Sequence, residues 1–83
     1  MKILYFSWIK DQIGKAEESL DIKDNIQTIE ELVNFLKNIN DNYKSVFTDV
    51  SSIKVSINME IASFKDKINK EDEVAFFPPM TGG

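Results

Sequence analysis

The 83-residue sequence contains no cysteine, histidine or arginine, and only three glycines and two prolines. Without Cys and His there is no thiol nucleophile, no imidazole base and none of the usual zinc ligands, so carboxylates, lysines and hydroxyls are the only side-chain chemistry left. That composition argues against an enzyme acting alone, against a metal site and against a disulfide framework. The ten basic residues are all lysines, scattered along the chain, and fourteen acids leave a formal charge of −4. A chain with no basic face is a poor partner for nucleic acid, whose phosphates must be neutralised. Long apolar runs are missing as well. Ile3 to Phe6 falls far short of the roughly 20 residues that span a bilayer, so no membrane association is expected. No basic-then-apolar leader opens the chain, and a cytoplasmic location is expected.

What is present fits one small domain, since 83 residues with 42% apolar content can bury a single modest core. Lys2-Ile3-Leu4-Tyr5-Phe6-Ser7 is rich in β-formers and apolar on both pleat faces, which predicts a central first strand. Ile9 and Ile13 lie one helical turn apart and Gly14 follows, a pattern for a short helix with a left-handed end. Ala16 to Ile22 alternates weakly and reads as a second strand with one wet face. Thr28-Ile29-Glu30-Glu31 matches a capping box, and Ile29, Leu32, Val33, Leu36 and Ile39 form the core stripe of the main helix. Tyr43, Val46 and Phe47 predict a loose turn or short helix under the sheet. Ile53, Val55 and Ile57 alternate with Lys54 and Ser56 as a third strand, which Asn58 and Met59 turn into a brief fourth ending near Ile61. Ser63 to Asp72 reads as a polar connection anchored by Ile68, and Val74 to Phe77 as a last strand stopped by Pro78-Pro79. This order gives an α+β domain with one main helix on a mixed sheet of four to five strands. Glu17, Glu18, Glu30, Glu31, Glu71, Asp72 and Glu73 are assigned to a solvated face, because no spacing among them repeats a ligand loop. Lys65, Lys67 and Lys70 are read as solubilising, and Trp8 as a packing residue.

The domain is expected to span residues 1–77 and an extended flexible tail residues 78–83. Proline biases that tail toward an extended form, and six residues reach roughly 20 Å at most. Gly82 and Gly83 lack Cβ atoms and can thread a narrow channel closed to other residues. They deliver a carboxylate that is anionic at neutral pH and a poor electrophile until adenylation supplies a leaving group. Sulfide, a persulfide or an amine could then attack the carbonyl.

The run Asp72-Glu73-Val74-Ala75-Phe76-Phe77-Pro78-Pro79-Met80-Thr81-Gly82-Gly83 resembles the C-terminal signature of the small subunit of molybdopterin synthase. The first strand, the Ile9 to Gly14 segment, the Thr28 cap and Val55-Ser56-Ile57-Asn58 fall in the same order. The resemblance implies the β-grasp, or ubiquitin-like, fold. It also implies that Gly83 is adenylated by a ubiquitin-activating-type adenylyltransferase using ATP, converted to a thiocarboxylate with sulfur from a donor protein, and inserted into a large catalytic subunit. There its sulfur would go to a pterin precursor. On that reading Gly82 gives access, Gly83 carries sulfur, and no cofactor is bound by the chain itself. Met80 and Lys10 depart from the usual pattern of a smaller aliphatic residue and an arginine.

The same resemblance makes Phe6, Ile61 and Phe77, with Pro78, Pro79, Met80 and Thr81, a partner-binding surface at the root of the tail. Pleat parity sets Val74 and Phe76 on one face of the last strand and Ala75 and Phe77 on the other, so one phenylalanine should point outward. The competing reading is that Phe6, Ile61 and Phe77 complete the core. Three other functions share these features: a sulfur carrier for thiamin synthesis, a ubiquitin-like tag joined to lysines through Gly83, and a non-reactive interaction module.

Overall fold

The computed structural model describes residues 1–79; Met80, Thr81, Gly82 and Gly83 lie outside the described residues. The elements follow in the order β1 (Lys2–Tyr5), α1 (Ser7–Ile13), β2 (Glu17–Ser19), α2 (Ile29–Lys37), α3 (Asp41–Phe47), a 3-10 turn (Val50–Ser52), β3 (Lys54–Ile57), β4 (Glu60–Ala62) and β5 (Glu73–Phe77). The strands form one sheet in the order β2-β1-β5-β3-β4. β5 runs parallel to β1, with Leu4 beside Ala75, and antiparallel to β3, with Ser56 beside Ala75. The last strand of the sequence is thus the middle strand of the sheet. This is the mixed-sheet α+β arrangement of the β-grasp fold.

Pleat alternation decides what the helices cover. Ile3 and Tyr5 of β1, Val55 of β3, and Val74 and Phe76 of β5 are buried, and with them Ile9 and Ile13 of α1, the α2 stripe, and Tyr43, Val46 and Phe47 of α3. Phe76 sits at the centre, parallel to the Tyr5 ring at 6.3 Å and edge-on to Phe47 at 5.0 Å. Rings in such offset and T-shaped pairs gain attraction beyond their burial.

The local signals act as their chemistry requires. The Glu31 amide donates to Thr28 Oγ1 at 3.2 Å and Glu31 Oε1 accepts from the Thr28 amide at 3.1 Å, closing the capping box. Gly14 ends α1 at φ 92°, where its amide meets the Lys10 carbonyl at 2.8 Å. Ile68 anchors the connection before β5 as expected.

Several expectations need correction. The first strand stops at Tyr5 because Ser7 turns to φ 57° and starts α1. β2 pairs over only three residues. The main helix ends at Lys37, so Ile39 falls past its last turn and lies exposed, while Phe35 joins the core edge instead. Of the loose turn or short helix expected around Tyr43, Val46 and Phe47, the short helix forms, since the Asn40 side chain accepts from the amides of Asn42 and Tyr43 and caps it. Trp8 is 36% exposed on α1 and is no core residue. Among the described residues no helix is long and apolar enough to cross a membrane.

Candidate functional site

The face of the sheet away from the helices carries the alternate residues: Leu4 of β1, Ser56 of β3, and Glu73, Ala75 and Phe77 of β5. Ser56 and Ala75 are small neighbours in register, and the larger Leu4, Phe6, Met59 and Phe77 stand around them. The result is a mostly apolar groove of about 670 Å³ whose wall continues into Pro78 and Pro79. Ser56, which alternates with the apolar residues of the third strand, lies on the buried floor of this groove.

The groove brings together Phe6, Phe77, Pro78 and Pro79 among the expected partner-binding residues. Phe6 is 48% exposed, so it does not complete the core, and Phe77 is half-buried on the groove side. Ile61 shares this outer face, since it pairs with Ser56, but lines a separate, more polar depression beside Glu60 and Lys67. Ile61 is 76% exposed. Met80, Thr81, Gly82 and Gly83 are outside the described residues. Lys2, in the same strand as Leu4, meets Glu17 at 3.1 Å, which holds its ammonium above the usual lysine range; both are exposed, so the pair adds little to stability.

Sequence reasoning missed two residues here. The sequence alone marks Leu4 only as part of a central strand, and Met59 only as part of a turn. Pleat parity identifies Leu4 as a neighbour of Ala75. Met59 becomes visible only when the hairpin is placed beside β5. The turn is pinned there by the Asn58 side chain, which accepts from the Glu73 amide at 2.9 Å and donates to Asp72 at 2.9 Å.

A second cluster was also missed. Glu18 was assigned to the solvated face, yet its side chain is only 12% exposed and Oε2 accepts from the hydroxyls of Tyr5 and Tyr43, each at 2.7 Å. Lys15 Nζ lies 3.3 Å from Oε1. Burial pushes the Glu18 carboxyl up, but both tyrosines and Lys15 favour the anion more strongly and the net shift is downward. Burial first, then Glu18, raises the pKa of both phenols. The carboxylate joins β1, β2 and α3, which makes it a structural tie on the side opposite the groove.

A depressed carboxyl pKa has a defined consequence. Its stabilisation is complete above the unfolded value of 4.5 and is lost as pH falls through the lower folded value. Glu18→Gln keeps the shape but weakens the charge-assisted bonds, and about 1–2 kcal/mol should disappear at pH 7. Denaturant unfolding should show the gap between the two proteins narrowing as pH falls below 4.5 and through the lower folded value. A gap that stays constant with pH contradicts the assignment.

Among the described residues no three acidic side chains gather where they could hold a metal ion. A ubiquitin-like β-grasp domain with an apolar groove beside Pro78 and Pro79 is the class of protein that fold and site define. The family model of the ThiS family matches residues 3–83, through the terminal glycines, and the chain belongs to that family of sulfur-carrier proteins. It is similar to the molybdopterin synthase sulfur carrier subunit of Escherichia coli, 28% identical with 100% of this chain and 99% of that one covered. The protein of the same name from Dictyostelium discoideum is 33% identical, over 99% of this chain and 94% of that one. The fold resembles that of small archaeal modifier protein 1 of Haloferax volcanii, with a TM-score of 0.78 at 22% identity over 96% and 97% of the two chains.

Proposed function

We propose that this chain is the sulfur-carrying small subunit of a molybdopterin synthase. Gly83 is adenylated at its carboxylate by a ubiquitin-activating-type enzyme with ATP. Sulfide supplied by a donor protein then attacks the carbonyl and displaces AMP to give a thiocarboxylate. In the large catalytic subunit that sulfur passes to a pterin precursor, and water restores the carboxylate. Two sulfurs in the product's dithiolene require two deliveries. The chain contributes no side-chain catalyst; catalytic groups belong to the partners. Residues 78–83 act as an extended arm, and Gly82 leaves room for it to thread. A small acidic chain that works in this way belongs in the cytoplasm.

The observation that carries this reading is placement. β5 is the middle strand, paired on both sides, and its last residue Phe77 with the following Pro78 and Pro79 lines an apolar groove. Full-length similarity to two proteins named molybdopterin synthase sulfur carrier subunit supports the choice of pathway over thiamin synthesis or protein tagging.

The test is reconstitution. The thiocarboxylated chain, mixed with the cognate large subunit and the pterin precursor, should yield the dithiolene product and return the chain as carboxylate. Sulfur delivery to a thiazole-forming enzyme with none to the pterin would overturn the pathway while leaving carriage intact.

A further inference from the structure

With no cysteine in the chain, thioethers are its most readily oxidised groups. Of the two methionines among the described residues, Met1 is partly buried against the core, whereas Met59 is 89% exposed. Met59 occupies the second position of the β3–β4 turn at φ 73°, where glycine is favoured and a residue with a Cβ is strained. Asn58, the residue before it, bonds to Asp72 and Glu73 and pins the turn to the start of β5. Met59 is thereby held at the groove, which it lines with Leu4, Phe6, Phe77, Pro78 and Pro79. An open thioether thus stands in an otherwise mostly apolar wall.

We propose that Met59 is a reversible oxidation site, at which hydrogen peroxide converts the thioether to a sulfoxide and turns part of the groove wall from apolar to polar. The sulfur lone pair attacks one peroxide oxygen, and the S–O bond forms as the O–O bond breaks. The departing hydroxide takes the proton of the transferred oxygen and leaves as water. Sulfur loses two electrons and the peroxide gains them. Each of the two sulfoxide epimers has its own reductase, so the change can be undone. Its effect on function rests on the carrier reading above. Gly83 is the fourth residue beyond Pro79 and lies at most about 14 Å from it, which keeps any enzyme that handles Gly83 close to the groove. The activating enzyme and the large subunit are alike in this. A sulfoxide dipole covered by an apolar surface loses its water without gaining a partner, so oxidation opposes loading and delivery together.

The experiment exposes the free wild-type chain, Met59→Leu and Met80→Leu to dilute hydrogen peroxide and compares each with its own untreated sample. Peptide mapping locates the sulfoxide, and titrations give the Kd for the activating enzyme and for the large subunit. Met59 should oxidise within about threefold of the rate of free methionine, as its exposure requires. Treatment should raise both Kd values at least about fivefold in wild type and in Met80→Leu, and the two reductases should restore them. Met59→Leu should show no change on treatment. A Met59 that resists the peroxide, or a sulfoxide there with unchanged Kd values, overturns the proposal and leaves the carrier reading standing. So does a loss that persists in Met59→Leu, that touches one partner only, that the reductases fail to reverse or that tracks a lowered thermal midpoint. If the untreated wild type binds neither enzyme, the carrier reading falls and the inference with it.

Discussion

Deleting Gly82 and Gly83 should abolish sulfur transfer completely while leaving the fold and the groove intact. The expectation follows from a division of labour. Every core contact described above is made within residues 1–79, so the deletion removes no buried side chain and should shift the unfolding midpoint by no more than about 0.5 kcal/mol equivalent. The chemistry, by contrast, has no substitute. With no Cys or His anywhere in the chain, no second group can be loaded with sulfur or stand in as nucleophile. Partner affinity should survive in part, since Phe6, Phe77, Pro78 and Pro79 remain in the groove. Circular dichroism, a binding titration and a single-turnover transfer assay separate the three properties. Residual transfer by the truncated chain would show that the reactive group lies elsewhere.

Phe76→Ala and Phe77→Ala should have opposite phenotypes although the residues are adjacent and identical. Phe76 is wholly buried between Tyr5 and Phe47, and truncating it leaves a cavity at the centre of the molecule, at a cost of about 3–5 kcal/mol. Small domains hold roughly 5–15 kcal/mol in all, so this variant should be poorly folded. Phe77 points to the other face, and its loss should cost under about 1 kcal/mol of stability. Its place at the mouth of the groove suits a binding anchor, and the Kd for the large subunit should rise by an order of magnitude or more. Denaturant midpoints and calorimetric titration decide it. Equal destabilisation by both changes would place Phe77 in the core and remove the groove from the account.

Period-two alternation made this contrast legible before any coordinates, because it forces Phe76 and Phe77 to opposite faces. The capping box at Thr28 and the Gly14 stop were equally legible, since each is a local hydrogen-bonding pattern written within four or five residues. What could not be read locally was the middle position of β5, which depends on pairing with β3 about twenty residues away and with β1 about seventy residues away. The groove was hidden for the same reason: its small floor residues, Ser56 and Ala75, become neighbours only through the β3–β5 register. Glu18 looked like one more surface acid because neither tyrosine that binds it is near in sequence, Tyr43 being 25 residues away. Ile39 and Trp8 misled in the other direction. Their hydrophobicity suggested burial, but a helix that ends at Lys37 leaves Ile39 beyond the core stripe, and Trp8 lies on the outward side of α1.

The chemical identity of Gly83 after activation tests the account most directly. The chain, incubated with its activating enzyme, ATP and a sulfur donor, should gain the mass that separates sulfur from oxygen, with fragmentation placing the change at the terminal carboxyl. An unaltered mass under conditions in which the same enzyme loads another carrier, or a gain located on any other residue, would contradict it.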